Sequence, residues 1–367
     1  MTTSCLHERT LPLKKALMTA HGPVPLRRVQ VLVVQDSAGN AGYGEAAPLP
    51  AFGSEDPLTC REKLEDILPF LDDMADRWLE SDRPSGGLGP LERQLRDTPC
   101  ARACVEGALL DLLAQRRGTS LAAMLAGDAP IPEELSCNAL LSGNNADELA
   151  EAASQLVADG WRTLKVKVGG DTADELTKLR ALREWVGDRI KIRVDANGSW
   201  DFDTAKDFIN AAAELDIEYL EQPLAPDDLD GHAALRRMGA IPIAVDESVR
   251  QAADIGRVAA KQAADIIIIK PTAIGGWRHT QRAAELARNS DIEVVITTFL
   301  DGSVGRAHAT HIAAALGCHH RAQGLATGGL LKHDLSEDPL PARQGSIIIP
   351  EQPGLGIGTL LPEIVAD

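Results

Sequence analysis

Residues 163–168 read TLKVKV, an apolar strand pattern that carries Lys165 and Lys167 and decides how the rest of the chain is interpreted. Four later apolar runs also end in a charged residue: IRVD at 192–195, EYLE at 218–221, IAVD at 243–246 and DIIIIK at 265–270. These charged residues recur every 24 to 28 residues, an interval that accommodates one strand and one helix. The chain therefore repeats one supersecondary unit, and each copy supplies a charged group at the same place.

Short apolar strands alternate with amphipathic helices from about residue 135 onward. This alternation predicts parallel strands, and eight such strands predict a closed (β/α) barrel rather than an open sheet. No GxGxxG follows the first strand, which disfavours a dinucleotide-binding fold. The predicted strands lie near 136–141, 163–168, 191–195, 218–221, 243–246, 265–270, 293–297 and around Gln323.

The first 130 or so residues predict an α+β unit. Residues 28–36, RVQVLVVQD, are followed by the turn sequence SAGNAG at 37–42 and a second extended stretch at 43–46, which together predict a hairpin. Helical patterns follow at 58–71 and 101–125, with Gly118 as the expected break. The Pro- and Gly-containing tail after residue 334 is expected to pack back on this first unit.

Composition limits the possible functions. The chain has 367 residues, 44% hydrophobic and 25% charged, which is typical of a soluble globular protein. Its net charge of −17 argues against nucleic acid or an anionic membrane as the partner, although a local metal or cation still allows an anionic substrate. The six cysteines form no CxxC pair, and the N-terminal stretch lacks a signal-peptide pattern. We therefore expect a cytoplasmic protein, with a homo-oligomer possible.

Two lysines on one strand predict a proton-transfer site. Lys165 and Lys167 are two residues apart, so their side chains point to the same face of the strand. At the carboxyl end of a barrel strand that face belongs to the active-site rim. Burial of neighbouring lysines is expected to lower the pKa of at least one, which would make it a general base near neutral pH.

The remaining strand ends predict a metal site. Asp195, Glu221 and Asp246 come from three consecutive strands, so the three carboxylates can converge on one cation. Oxygen-only ligation favours Mg²⁺ or Mn²⁺ over Zn²⁺. Lys270 arrives on the far side. This set predicts chelation of a carboxylate substrate and removal of the proton on its neighbouring carbon, with cations stabilising the enediolate.

Each of these residues alone would be interpreted as a solvated loop charge or a structural ion pair, but the regular set favours a site. Glu247 is expected to lie behind the metal ligands and pair with a lysine. Asn197 either hydrogen-bonds a ligand or supports the rim, or it only forms the turn before Gly198. His308 and His311 lie on a predicted helix without suitable partners for a metal site, which favours a surface role.

At these positions the sequence resembles the muconate-lactonizing-enzyme subgroup of the enolase superfamily. The matching motifs are Lys165-Val166-Lys167, Asp195-Ala196-Asn197, Glu221-Gln222-Pro223, Asp246-Glu247-Ser248 and Lys270-Pro271. The resemblance implies a capping α+β domain over 1–130, a modified (β/α)7β TIM barrel over 131–334 and a C-terminal segment over 335–367 that packs on the cap. It also implies Mg²⁺ held by Asp195, Glu221 and Asp246, with Lys167 and Lys270 on opposite faces of the substrate.

Within the subgroup the chain most resembles the o-succinylbenzoate synthase family, which dehydrates a cyclohexadiene precursor (SHCHC) in menaquinone biosynthesis. The similar stretches are TAHG at 19–22, APLPAFG at 47–53 and GLATGGLL at 324–331. The resemblance implies that Lys167 removes the proton and later delivers it to the departing hydroxyl, while Lys270 stays a cation. The further residues placed near the substrate are Thr19, His21, Phe52, Thr297, Gly324 and Leu325.

Other activities of the subgroup are alternatives: dipeptide epimerisation, N-succinylamino acid racemisation and muconate-type cycloisomerisation. Dipeptide epimerases carry an acidic pair near the eighth strand, whereas residues 324–331 contain no acid here. Asp301, which follows the seventh strand, leaves that distinction open because it could supply the acid. A non-catalytic metal-binding barrel is disfavoured by the complete set of five charged strand ends.

Overall fold

Long antiparallel strands begin the protein in the computed structural model, which describes residues 1–19, 22–81, 87–336, 340–358 and 360, with only the backbone at 18, 19 and 22. The three strands of this sheet are β1 (Thr2–Thr19), β2 (Gly22–Asp36) and β3 (Ala41–Ala46), in that order. The Asp36 carboxylate closes the β2–β3 turn by accepting hydrogen bonds from the amides of Ala38 and Asn40 at 2.9 and 3.0 Å. The predicted hairpin is confirmed.

Four helices follow this sheet, and the sheet and helices together are called the cap below. They are α1 (Pro57–Glu80), α2 (Leu91–Gln94), α3 (Pro99–Arg116) and α4 (Leu121–Ala126), with a 3₁₀ turn at Pro50–Phe52 before them. The largely buried α3 lies directly on β3, and Gly44 permits this close approach. A Cβ at Gly44 would lie 1.9 Å from the Cys104 carbonyl oxygen. Gly118, with φ +62°, confirms the predicted helix break.

Seven parallel strands form the second sheet, in the order β11-β10-β9-β8-β7-β6-β5. The strands are β5 (Ala139–Leu141), β6 (Thr163–Lys167), β7 (Lys191–Asp195), β8 (Ile217–Glu221), β9 (Ile243–Val245), β10 (Ile266–Ile269) and β11 (Glu293–Ile296), and the short β4 (Glu134–Ser136) precedes them. The helices are α5 (Ala146–Ala158), α6 (Thr172–Val186), α7 (Phe202–Ala212), α8 (Leu229–Met238), α9 (Ala252–Lys261), α10 (Pro271–Ile274), α11 (Trp277–Arg288) and α12 (Ser303–Ala315), with 3₁₀ turns at Ala213–Leu215 and Gly328–Leu330.

The segment at Gln323 and Gly324 closes this sheet into a barrel. Gln323 bridges to Cys137 at one edge, and Gly324 bridges to Thr297 at the other. The Gln323 amide donates to the Ser136 carbonyl at 2.7 Å, and the Gly324 amide donates to the Ile296 carbonyl at 2.9 Å. The predicted fold class, a (β/α)7β barrel with an α+β cap, is confirmed. The eighth strand, however, consists of isolated bridges, and the predicted strand over 136–141 is divided between β4 and β5.

The C-terminal tail returns to the start of the barrel and to the cap. Its strand β12 (Ser346–Ile348) pairs with β4 in antiparallel register. Gly354 bridges to Ser120, and the Leu355 amide donates to the Asp111 carboxylate at 2.9 Å. The domain limits at residues 130 and 334 stay predictions. No described helix is long and apolar enough to span a membrane.

His311 of α12 lies inside the protein and His308 is half-buried against the cap, so the predicted surface role for them is wrong. His311 is completely buried and accepts the Ala122 amide at 3.1 Å through Nδ1. His308 Nε2 lies 2.8 Å from the Tyr43 carbonyl oxygen. Burial lowers the pKa of both imidazoles to about 4. Both therefore serve as neutral hydrogen-bonding groups between α12 and the cap.

Glu45 and Arg102 of the cap form hydrogen bonds with backbone groups at the ends of two barrel helices. The buried Glu45 carboxylate accepts hydrogen bonds from the amides of Gly302 and Gly305, at 2.6 and 2.8 Å, at the start of α12. Arg102 donates to the carbonyls of Ile274 and Gly275, at 3.0 and 3.2 Å, at the end of α10. The first amides and the last carbonyls of a helix have no partner within it, so acceptors suit its start and donors suit its end. The cap is thereby fixed against the barrel by directional polar contacts.

We expect Glu45→Gln to change how stability depends on pH. Burial and the nearby Asp301 raise the Glu45 pKa to about 8, above roughly 4.3 for an unfolded glutamate. Between these values the folded state keeps a proton that the unfolded state releases, so stability falls with rising pH by at most about 1.4 kcal/mol per unit. Glutamine does not ionise. The free energy of unfolding of the variant, measured in urea from pH 5 to 8, should therefore increase relative to that of the wild type as pH rises.

Glu62→Gln is the matched control, because Glu62 is exposed on α1. Its stability should run parallel to that of the wild type over the same pH range. A Glu45→Gln curve that is also parallel would show that Glu45 ionises in the folded protein as easily as in the unfolded chain.

Candidate active site

The carboxyl ends of β6 to β10 surround one cavity of about 450 Å³. Parallel register places Lys167 beside Asp195 and Asp195 beside Glu221. Asp246 immediately follows β9, and Lys270 follows β10. The cavity is lined by all six predicted charged residues, namely Lys165, Lys167, Asp195, Glu221, Asp246 and Lys270. The two lysine positions are separated by the three strands that lead to the carboxylates.

Lys165 is held by two of the carboxylates. Its Nζ lies 2.9 Å from Asp195 Oδ2 and 2.8 Å from both oxygens of Glu221. Burial alone would lower the Lys165 pKa, but Asp195 and Glu221 outweigh it and keep that pKa well above the usual value. For Lys165 the expectation of a lowered pKa is therefore wrong, and its ammonium acts as the counter-charge of the two carboxylates.

The three carboxylates are almost completely buried: Asp195 is 2% exposed, Glu221 1% and Asp246 7%. Burial, Asp195 and Asp246 together raise the Glu221 pKa to about 8, although Lys165 opposes them. Lys270 forms an ion pair with Asp246. Burial would lower the Lys270 pKa, but Asp246 and Glu247 raise it above its ordinary value. Both buried lysines are therefore charged and partly neutralise the carboxylates.

The donors of this cluster suit a hard divalent cation, because all of them are carboxylate oxygens. Burial first, and then the charges of Asp195 and Asp246, raise the Glu221 pKa even with Lys165 present. In the described part of the chain, no three His, Cys, Asp or Glu side chains already surround a common metal position. The Lys165 ammonium lies within hydrogen-bonding distance of two of the carboxylates. A bound cation would share these oxygens with the lysine.

Lys167 contacts a polar pair rather than a carboxylate. Its Nζ donates to Asn197 Oδ1 at 2.8 Å, and Asn197 Nδ2 donates to Glu247 Oε1 at 3.0 Å. Asn197 thus forms the predicted turn before Gly198, with φ +45°, and its side chain supports the rim by joining Lys167 to Glu247. The predicted hydrogen bond from Asn197 to a ligand stays a prediction. The predicted pairing of Glu247 with a lysine takes the form of a charge interaction with Lys270, which helps to raise the Lys270 pKa. It involves no hydrogen bond: Glu247 Oε1 accepts from Asn197, and the buried Oε2 has no hydrogen-bond partner among the described residues.

The other predicted contact residues divide into three groups. Phe52, Thr297 and Gly324 line the cavity. Leu325 does not, because side chains alternate along an extended segment and Leu325 is buried on the other side. The Thr19 side chain and all of His21 lie outside the described residues.

Asp301 does not supply an acid to the cavity. It is 2% exposed and accepts the Phe299 amide at 2.8 Å, and it is absent from the cavity wall. The described acids that line the cavity are Asp195, Glu221 and Asp246. The wall formed by the eighth segment is small and uncharged, with Gly324, Ala326, Thr327, Gly329 and Leu330.

Gln222 is a functional residue that the sequence reasoning missed. It adopts φ +39° immediately after Glu221 and is completely buried. Its Oε1 accepts the Asp246 amide at 2.9 Å, and its Nε2 donates to the Leu224 carbonyl at 3.0 Å and to Ser248 Oγ at 2.9 Å. One amide side chain thus fixes the end of β8 to the residue that follows β9. The available signal was a polar residue between Glu221 and Pro223, where the chain must turn.

Tyr219 was also missed, although period-2 alternation places it on the same face of β8 as Glu221. It lines the cavity and is 1% exposed. The buried Arg193 guanidinium lies 4.6 Å from the Tyr219 ring centroid and donates to Glu218 at 2.6 Å. A stacked cation–aromatic pair therefore forms the floor beneath the charged cluster.

The chain matches one family model and relatives from several organisms. Residues 148–360 match the family model described as "Enolase C-terminal domain-like". The o-succinylbenzoate synthase of Thermobifida fusca (strain YX) is 38% identical over 60% of this chain and 68% of that protein, so this likeness covers about two thirds of the relative. Muconate cycloisomerase 1 of Pseudomonas putida is 29% identical over 88% of this chain and 86% of its own length.

A solved structure covers nearly the entire chain. The substrate-liganded L-Ala-D/L-Glu epimerase of Bacillus subtilis superposes with a TM-score of 0.83 at 27% identity, over 98% of this chain and 99% of that chain. Relatives with three different reactions therefore share this architecture.

We expect Gln222→Ala to destabilise the protein by at least about 2 kcal/mol, because it leaves the Asp246 amide and the Leu224 carbonyl buried without partners. Gln262→Ala is the matched control. Gln262 also has a left-handed backbone, with φ +53°, but its exposed side chain makes no hydrogen bond to another described residue. Denaturant unfolding of both variants measures the difference. Equal losses would show that the left-handed backbone, not the amide network, determines the effect.

Proposed function

The chain belongs to the muconate-lactonizing-enzyme subgroup of the enolase superfamily, and from this premise we propose that it removes a proton α to a carboxylate with the help of Mg²⁺. The reaction we favour is dehydration of SHCHC to o-succinylbenzoate, a step of menaquinone biosynthesis. The observation that carries the general reaction is the cluster of three buried carboxylates between Lys165 and Lys167 on one side and Lys270 on the other. A cytoplasmic location and a possible homo-oligomer stay predictions.

Asp195, Glu221 and Asp246 would hold the Mg²⁺ ion. When bound, the ion would attract the substrate carboxylate and stabilise negative charge on its oxygens. The protein contributes a site with little access to water, since the three carboxylates are at most 7% exposed. Water therefore competes little with the charges of the site. Lys165 balances the charge of Asp195 and Glu221.

Lys167 is the proposed base. Its Nζ lines the cavity and is oriented by Asn197 Oδ1 at 2.8 Å. It would take the proton from the carbon next to the carboxylate and then give it to the departing hydroxyl, so that the C–O bond breaks, water leaves and the ring becomes aromatic. Lys270 remains a cation beside Asp246 and would stabilise charge on the opposite face of the substrate.

The cavity wall supports a ring-containing carboxylate substrate without an ammonium group. Leu17, Leu140 and Leu330 supply apolar surface, and the hydroxyls of Thr298 and Thr327 lie 2.9 Å apart. A substrate ammonium would need a carboxylate on this side, and the described lining acids all belong to the charged cluster. Dipeptide epimerisation is the second candidate, because a solved epimerase of 27% identity superposes over nearly the whole chain.

We expect the purified protein to convert SHCHC to o-succinylbenzoate with Mg²⁺ and to lose this activity in a chelator. Lys167→Ala should lower kcat by roughly 10²–10⁴-fold, the usual range for loss of a general acid–base group. Lys191→Ala is the control, because Lys191 begins β7 at the other end of the barrel and is exposed. Full activity of Lys167→Ala would exclude the assigned base. Faster α-proton exchange of L-Ala-L-Glu in D₂O than turnover of SHCHC would favour epimerisation.

We also expect Ala326→Asp to raise the KM for SHCHC about tenfold or more. The new carboxylate would face the cavity and repel an anionic substrate by roughly 1–3 kcal/mol at an effective dielectric constant of about 20. Ala326→Asn has nearly the same shape without the charge and is the matched control. Steady-state kinetics of both variants separate charge from size. Equal KM values for the two variants would mean that the substrate carries no anionic group near this wall.

A further inference from the structure

Arg27 of β2 is a buried cation that binds four backbone carbonyls from outside its own sheet. It is 2% exposed. Its Nη1 donates to Pro48 at 3.0 Å and its Nη2 to Ala47, both in the loop that leads from β3 to α1. Its Nη2 and Nε donate to Phe299 and Leu300, at 3.1 and 3.3 Å, in the turn after β11. The guanidinium therefore joins a loop of the cap to a loop of the barrel.

Both of these loops line the cavity. Phe52 from the cap loop and Leu300 from the barrel turn belong to its wall. The rings of Phe52 and Phe299 pack edge to face, with centroids 6.4 Å apart and an interplanar angle of 86°. The Phe52 ring centroid lies 6.0 Å from Lys270 Nζ. The cap thus supplies an aromatic cover beside one of the two lysine arms.

The turn after β11 needs external support. Leu300 has φ +55°, a backbone conformation that side chains with a Cβ rarely adopt. Such strain persists only where surrounding contacts hold it. The Arg27 bonds to Phe299 and Leu300 are two of these contacts. A planar guanidinium can donate from several edges at once, whereas a lysine ammonium is a single point of charge.

We propose that Arg27 is a positioning residue for the reaction. By fixing the cap loop 47–54 against the barrel turn 297–301, it holds Phe52 over Lys270 and sets the wall that the substrate contacts. Arg27 is not in the cavity wall itself. Its effect reaches the substrate through Phe52, Phe299 and Leu300. This inference rests on the proposed function only in assuming that a substrate is processed beside Lys270.

The test compares Arg27→Met and Arg27→Lys with two other arginine substitutions. Arg183→Met is the buried control, since Arg183 also donates to four carbonyls, those of Gly187, Ile190, Leu215 and Asp216, but does not line the cavity. Arg28→Met is the exposed control from the same strand. Amide hydrogen exchange measures how well the loops 47–54 and 297–301 are ordered. Steady-state kinetics with SHCHC give KM and kcat separately.

We expect Arg27→Met to raise amide exchange at least tenfold in both 47–54 and 297–301 and to lower kcat/KM at least tenfold, mainly through KM. Arg27→Lys should have exchange rates and a kcat/KM between those of Arg27→Met and the wild type. It replaces Arg27→Met in the comparison if that variant does not fold. Arg183→Met should loosen only the segments near 187–190 and 215–216 and leave kcat/KM within twofold. Arg28→Met should match the wild type in both measurements.

Faster exchange in one loop only, or in neither, would overturn the inference whatever the substrate is. Faster exchange in both loops with unchanged kinetics would also overturn it, because Arg27 would then have a purely structural role. Failure of the wild type to turn over SHCHC would instead reject the proposed dehydration. The kinetic comparison would then use the dipeptide whose α-proton the wild type exchanges, and the exchange measurement would be read as before.

Discussion

Repulsion among three buried carboxylates is the constraint on which the centre of this protein depends. Asp195, Glu221 and Asp246 lie at the ends of neighbouring strands and have little access to water, and burial, Asp195 and Asp246 all disfavour the charged form of Glu221. Lys165 and Lys270 offset this repulsion from the two sides. A buried charge without its partner is strongly destabilising, by about 3–5 kcal/mol. The lysines are therefore part of the folded structure as well as candidates for the chemistry.

The backbone around the cluster is correspondingly constrained. Asn197 and Gln222 both have positive φ angles, and they lie two residues and one residue after strands that end in a carboxylate. These turns direct the chain away from the strand end while their side chains bond to neighbouring strands, Asn197 to Lys167 and Gln222 to the segment after β9. Two residues with unfavourable backbone angles thus adjoin the cluster, and hydrogen bonds between strands hold them. Register between parallel strands, rather than any single contact, keeps the charged groups together.

Much of this arrangement is predictable from the sequence, because parallel strands of a repeated unit end at the same rim. The interval between Lys167, Asp195, Glu221, Asp246 and Lys270 therefore predicts their common cavity. The charge state of Lys165 was not predictable from its own strand, since it depends on carboxylates of two other strands. The same holds for Gln222 and Arg27, whose partners are distant in sequence. The α12 histidines were misplaced because helical periodicity does not show that two faces of a helix are covered.

The chemistry and the choice of substrate belong to different parts of the molecule. The charged groups are fixed by strands that must pair in register, so changing one disturbs the balance of the whole cluster. The cavity wall comes from the turn at 297–301, the segment at 324–331 and the cap loop at 47–54, none of which contributes a charge to the cluster. These segments lie outside β6 to β10, the strands whose register places the carboxylates and lysines. That separation explains physically how relatives with three different reactions retain one architecture, and it makes the uncharged wall at Gly324 and Ala326 the informative feature for substrate choice.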